Sequence, residues 1–76
     1  MKPPVELKNL KILGKRIAEL RKQQGLTQEQ LAEKAGMAAH SLAYIEQGLR
    51  FPRYLTTFQK IAKAMNVSVH ELFKGL

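Results

Sequence analysis

Three hydrogen-bonding side chains, His40, Tyr44 and Gln47, lie at helical spacing within the stretch GMAAHSLAYIEQG (36–48). Residues four and seven positions apart share one face of a helix, and an imidazole, a phenol and a carboxamide can each form hydrogen bonds. Two small apolar residues flank them, Ala39 and Ala43, and the face has no arginine, lysine or asparagine. Such a face can recognise another molecule through hydrogen bonds and methyl contacts.

Catalysis and metal binding need groups of residues that this sequence lacks. The six acidic residues are all glutamates, and they fall on helix surfaces or serve in capping and ion pairing. There is no Ser–His–Asp arrangement, no glycine-rich phosphate loop and no metal-ligand spacing. His40 and His70 are distant in sequence and have no further ligands near them, so neither is expected to bind a metal. We expect no enzymatic activity, no cofactor and no small-molecule ligand.

The chain is strongly basic, with 13 Lys and Arg against six Glu and a formal net charge of +7. This balance favours a polyanionic partner, either nucleic acid or an acidic membrane surface, over the alternative of a basic surface without a partner. No run of about 18 apolar residues and no signal-peptide core is present. The absence of cysteine fits a reducing compartment. We expect a cytoplasmic, nucleoid-associated protein that does not bind membranes.

Glycines and capping signals divide the 76 residues into short helices of one domain. The first helical pattern stops at Gly25, and Thr27 with Gln30 forms a capping box that opens a second helix. This helix ends before Gly36, and the third ends at Gly48. No segment alternates polar and apolar residues for long enough to predict a strand.

Two more helices follow the loop LRFPRY, giving an all-α, five-helix domain at 9–76 after a flexible segment at 1–8. Thr56 with Gln59 and Ser68 with Glu71 are the expected capping pairs of these helices. The predicted inner side chains share helical spacing: Leu10, Leu13, Ile17 and Leu20 on helix one, Leu55, Phe58, Ile61, Ala62 and Met65 on helix four, and Val69, Leu72 and Phe73 on helix five.

Two charged residues fall on the inner sides of their helices. Arg21 lies beside Ile17 around the axis of helix one, and Glu46 lies near Leu42 on helix three. Burying either charge alone is costly. We therefore expect an Arg21–Glu46 salt bridge between these helices.

The segments LGKRIAELRKQQGLTQEQLAEKAG, IEQG and IAKAMNVSVHELF resemble the Cro/phage-repressor family of helix-turn-helix proteins, also called XRE-like. The resemblance runs from about Leu13 to Phe73. It implies a compact lambda-repressor-like fold and transcriptional regulation through operator DNA, which members of the family commonly bind as dimers. It also implies the Arg21–Glu46 ion pair.

Position by position, the resemblance assigns roles in DNA binding. Gln28 matches a residue whose side chain or backbone amide touches a phosphate, as suits a helix N-terminus. The expected base-reading residues are Ala39, His40, Ala43, Tyr44 and Gln47, and the expected phosphate-binding residues are Gln28, Arg21, Lys15, Arg50 and Arg53. Lys15 belongs to a stripe of lysines that is otherwise typical of a solvated helix face.

Two departures from the family pattern weaken the assignment of base readers. Many relatives have Ser or Thr where Ala38 precedes helix three, and Ala38 cannot cap that helix. Ala39 cannot exchange hydrogen bonds with Gln28, as the equivalent residues do in some relatives. We expect a regulator, a repressor in particular, that binds a palindromic operator as a homodimer. The alternative is a protein-interaction or antitoxin-like module with a weak DNA face.

Overall fold

The computed structural model describes residues 7–50, 52 and 54–76, and the regular secondary structure within them is all α-helix. The five helices are α1 (Leu7–Gln23), α2 (Gln28–Ala35), α3 (Ala39–Glu46), α4 (Leu55–Ala64) and α5 (Val69–Phe73). The predicted all-α, five-helix fold is therefore confirmed. Helix α1 already includes residues 7 and 8, which had been assigned to a flexible segment, while residues 1–6 lie outside the described part.

Side-chain caps start two of the helices where the sequence predicts them. The Thr27 hydroxyl accepts a hydrogen bond from the Gln30 amide at 3.0 Å, and the Gln30 side chain accepts from the Thr27 amide at 2.9 Å. Ser68 accepts from the Glu71 amide at 3.2 Å. Both caps bind amides that the helix itself leaves unpaired.

The capping pair predicted for α4 is wrong. This helix begins at Leu55, with Tyr54 in the capping position and no side-chain cap. Thr56 and Gln59 therefore lie inside the helix. Leu55 is also 61% exposed, contrary to its predicted inner position, because it is the first residue of α4.

The other predicted inner residues form one core, except Leu10, which is half-buried and lies outside the buried cluster. The buried apolar residues come from all five helices: Leu13, Ile17, Leu31, Ala32, Ala35, Leu42, Ile45, Phe58, Ile61, Ala62, Met65 and Leu72. Phe73 packs against this cluster, with its ring edge-to-face on Phe58 at a centroid distance of 5.2 Å. Burial of this apolar surface is the main force that holds such short helices together.

Side chains of α1 and of the turn that follows it tie the C-terminal part of the chain to the core. The Arg16 guanidinium donates to the Leu72 carbonyl at 3.0 Å and also to the Lys74 carbonyl. The Gln24 carboxamide donates to the Met65 carbonyl at 2.7 Å. These acceptors lie at the ends of α4 and α5, where carbonyls lack partners within the helix.

Gly36 and Gly48 follow α2 and α3 with similar left-handed backbones, at φ +69° and +73°. Their surroundings differ. A Cβ atom on Gly36 would meet nothing within 4 Å, whereas one on Gly48 would lie 2.9 Å from the Cα atom of Lys11. The turn after α3 is thus pressed against the backbone of α1.

This difference predicts unequal costs for two alanine substitutions. Gly36→Ala should lower the free energy of unfolding by about 1 kcal/mol, the cost of a left-handed alanine. Gly48→Ala should cost about 2 kcal/mol, because the new methyl group also displaces α1. Urea unfolding of the two variants provides the comparison, and equal losses would show that α1 does not constrain this turn.

Candidate nucleic-acid interface

Helices α2 and α3 are joined by a tight turn. Gly36 ends α2 by donating its amide to the carbonyls of Ala32 and Glu33, and the Met37 amide bonds to the Ala32 carbonyl at 2.9 Å. Helix α3 begins at Ala39, only four residues after the end of α2. The inner sides of both helices are buried, so the two form one packed helix-turn-helix unit.

The outer face of α3 carries the polar side chains that the sequence placed there. Leu42 and Ile45 are buried, whereas His40 and Gln47 are exposed and Tyr44 is 42% exposed. The His40 and Tyr44 rings meet edge-to-face, with centroids 6.3 Å apart and planes at 74°. Gln47 is the C-terminal capping residue of α3, directly after Glu46, the last residue of the helix.

The two alanines lie at the margin of this face. Both are partly buried, and Ala39 packs against the core. Their methyl groups are therefore less available than the three polar side chains to a molecule that approaches α3. The structure brings together His40, Tyr44 and Gln47 as the accessible part of the predicted base-reading set.

The expected ion pair between Arg21 and Glu46 is present. Nε of Arg21 donates to Oε2 of Glu46 at 2.8 Å, and Nη2 donates to Oε1 at 3.0 Å. The side chains are only 10% and 5% exposed. The third guanidinium nitrogen, Nη1, donates to the Leu26 carbonyl at 2.8 Å. This buried guanidinium, which donates from all three of its nitrogens, argues against the prediction that Arg21 also binds phosphate.

Gln28 joins the same carboxylate, a contact that the sequence analysis missed. Its Nε2 atom donates to Oε1 of Glu46 at 2.9 Å. Gln28 is also the first residue of α2, where the backbone amides of Gln28 and Glu29 have no acceptor within the helix. Glu46 therefore fixes the side chain of Gln28 beside a helix end that attracts anions.

The other predicted phosphate-binding residues do not lie together on one surface element. Arg50 lies beside the outer face of α3, with its guanidinium carbon 5.4 Å from the centroid of the Tyr44 ring. Lys15 is exposed on α1, in a shallow depression formed with Ile12, Arg16 and Glu19. Arg53 lies outside the described residues.

Two further observations concern sites of other kinds. In the part of the chain that the structure describes, no three His or Glu residues are grouped as metal ligands would be. The helices among the same residues are too short or too polar to cross a bilayer.

The missing cap of α3 predicts a stabilising substitution. Ala38 has the extended backbone of a capping residue (φ −75°, ψ 143°) but no side-chain acceptor. Ala38→Ser should therefore raise the free energy of unfolding by about 1 kcal/mol, because the hydroxyl can accept from an unpaired amide of the first turn. Urea unfolding against the parent measures the gain. No gain would mean that water caps this end equally well.

Comparison with known proteins places this arrangement in a family. The family model described as helix-turn-helix matches residues 17–72. SinR, an HTH-type transcriptional regulator of Bacillus subtilis, is 38% identical over 61 residues, covering 80% of this chain and 55% of SinR. The chain thus spans about half the length of this curated relative.

Solved structures agree with the sequence match. The restriction-modification controller protein C.AhdI of Aeromonas hydrophila superposes with a TM-score of 0.84 at 35% identity, covering 87% of this chain and 98% of C.AhdI. SinR in complex with DNA superposes with a TM-score of 0.76 at 37% identity, covering 82% and 98%. The chain belongs to the helix-turn-helix family, in the Cro/phage-repressor (XRE) group that includes transcriptional regulators such as SinR.

Proposed function

We propose that this protein is a sequence-specific DNA-binding transcriptional regulator that inserts α3 into the major groove of its operator. The observation that carries the proposal is the exposed row of His40, Tyr44 and Gln47 on a helix whose other side is buried. The major groove admits an α-helix and presents hydrogen-bonding groups to it. The structural similarity to SinR, which has been solved in complex with DNA, supports DNA as the partner.

Phosphate contacts would fix the domain on the duplex while α3 reads bases. The unpaired amides at the start of α2, with Gln28 held by Glu46, suit one phosphate. Arg53 and Lys15 are proposed as further phosphate contacts, whereas Arg50 lies beside the outer face of α3 and Arg21 is withdrawn because its guanidinium is buried. The net charge of +7 adds a long-range attraction to DNA.

The reading surface of one copy is too small for specific binding, so we propose a homodimer on a palindromic operator. Specific binding exceeds non-specific binding by about 4–10 kcal/mol. A bidentate base contact contributes about 1–3 kcal/mol, and His40 and Tyr44 form single hydrogen bonds. Two copies on half-sites about 34–36 Å apart double the number of contacts.

The dimer surface must come from apolar side chains outside the core. The sequence leaves five apolar residues for such an interface: Leu7, Ile12, Phe51, Phe73 and Leu76. Phe73 packs against the core, whereas Ile12 and Leu76 are each 44% exposed. Phe51 and the side chain of Leu7 lie outside the part of the chain that the structure describes. Leu49 and Leu55, which the sequence analysis did not propose, are more exposed still. These four residues are the candidates for contact with a second copy.

Selection of bound sequences from a random duplex library tests the proposal. We expect an enriched palindrome whose affinity falls steeply with salt, because bound phosphates release counterions.

Tyr44→Ala should lose about 10-fold or more in affinity for that palindrome and retain non-specific binding. His70→Ala, an exposed histidine on α5, is the matched control and should change neither. Negligible DNA affinity at about 0.15 M salt would instead indicate a protein-interaction module.

A further inference from the structure

Arg50 lies against the exposed face of α3. Its guanidinium lies over the Tyr44 ring, and the same ring meets His40 edge-to-face. A continuous row of side chains therefore extends from the first turn of α3 into the loop that follows it, formed by His40, Tyr44 and Arg50. The sequence alone predicts only a phosphate contact for Arg50.

The hydrogen-bonding groups of Arg50 remain available in this position. Among the described residues, no carboxylate pairs with its guanidinium, whose carbon lies 5.4 Å from the centroid of the Tyr44 ring. Arg50 is exposed, so the N–H groups of its guanidinium remain accessible to a ligand. Because the ring already holds the long side chain over α3, less freedom is lost when those groups bind a ligand.

We propose that Arg50 reads a guanine base at one end of each half-site. This inference rests on the proposed function, since it requires the outer face of α3 to lie in the major groove. A guanidinium can donate two parallel hydrogen bonds to O6 and N7 of guanine, which is the commonest specific base contact. His40 and Tyr44 cannot make such a pair of bonds. Arg50 therefore supplies a bidentate contact to guanine that neither His40 nor Tyr44 can make.

The test compares the sequence preferences of Arg50→Lys and Arg50→Ala with those of the parent protein. Arg50→Lys keeps the positive charge and loses the bidentate geometry. We expect it to retain the salt dependence of binding, while the preference for guanine at one position of each half-site falls about 5- to 100-fold. Arg50→Ala should lose the same preference and also reduce the salt slope.

Substitutions at Tyr44 test whether its ring positions the guanidinium of Arg50. Tyr44→Phe keeps the aromatic ring under Arg50 and should leave the guanine preference intact. Tyr44→Leu removes the ring and should weaken that preference, although Arg50 is still present. Thermal melts that match the parent would show that these exposed substitutions leave the fold unchanged.

The possible outcomes separate this inference from the proposed function. If the parent protein enriches no sequence, the proposed function itself fails. If the parent enriches a palindrome but Arg50→Ala weakens binding to all sequences equally and reduces the salt slope by about one unit, Arg50 contacts a phosphate. The second outcome, or an unchanged guanine preference in Arg50→Lys, would overturn the inference and leave the proposed function standing.

Discussion

Replacement of Glu46 by alanine is expected to lower the free energy of unfolding by about 3–5 kcal/mol. The carboxylate accepts two hydrogen bonds from Arg21 and one from Gln28, and it is only 5% exposed. Its removal leaves the buried guanidinium without a counter-charge. A domain of this length has a total stability of about 4–11 kcal/mol, so the loss is a large fraction. Urea unfolding followed by circular dichroism measures it.

Two further variants show whether an unpaired buried charge causes the loss of stability in Glu46→Ala. Glu33→Ala removes an exposed glutamate of α2 and should change stability by less than about 0.5 kcal/mol. The double variant Arg21→Met with Glu46→Leu removes both charges and should recover most of the loss, because apolar residues can replace a buried pair. If Glu46→Ala unfolds like the parent, the pair is not desolvated in solution.

Gly14→Ala is expected to cost about 3 kcal/mol, the upper part of the range for overpacked cores. A Cβ atom on Gly14 would lie 2.6 Å from the carbonyl oxygen of Glu46 and 2.8 Å from its carbonyl carbon, and would also meet the Ile45 carbonyl. These are backbone atoms at the end of α3, and they cannot move without moving the helix. In an exposed helix the same substitution would stabilise by about 1 kcal/mol.

The sign of the change therefore distinguishes close helix packing from helix propensity. Lys15→Ala, at the next position of α1, is exposed and should leave stability within about 0.5 kcal/mol of the parent. A rise in the midpoint of urea unfolding for Gly14→Ala would show that the backbones of α1 and α3 are not in contact. The position of Glu46 relative to Arg21 would then differ from the one described above.

Local chemistry explains the parts of the fold that were predictable from sequence. The capping box at Thr27 and the left-handed glycine after α2 act within a few residues, so their consequences can be worked out without the tertiary structure. The Arg21–Glu46 pair was also predictable, because both charges lie on inner faces and each needs a partner. Helical periodicity likewise placed His40 and Tyr44 on the exposed side of α3.

The wrong or missed sequence predictions concern burial and contacts that depend on how one element is positioned against another. Periodicity gives the direction of Leu55 around the axis of α4, but not whether a neighbouring helix covers the end where it lies. The Gln28–Glu46 and Arg50–Tyr44 contacts join separate elements, so no local rule predicts them. Gly14 did give a usable signal, since a glycine on the inner side of a helix indicates close backbone approach.

The Gln28–Glu46 hydrogen bond links stability to the proposed interface. The carboxylate that neutralises Arg21 in the core also holds the first side chain of α2. Substitution of Glu46 should therefore affect both folding and the phosphate contact, whereas Gln28→Ala should chiefly weaken DNA binding. Comparing unfolding and DNA affinity in these two variants separates the effects.

The central claim is that the outer face of α3 contacts DNA, and amide chemical-shift mapping by NMR tests it most directly. Titration of the labelled protein with its selected duplex should shift the signals of residues 39–50 and of Gln28 most strongly, with those of α5 nearly unchanged. Shifts concentrated on α5 or on the lysine side of α1, with the signals of residues 39–47 unperturbed, would contradict the account.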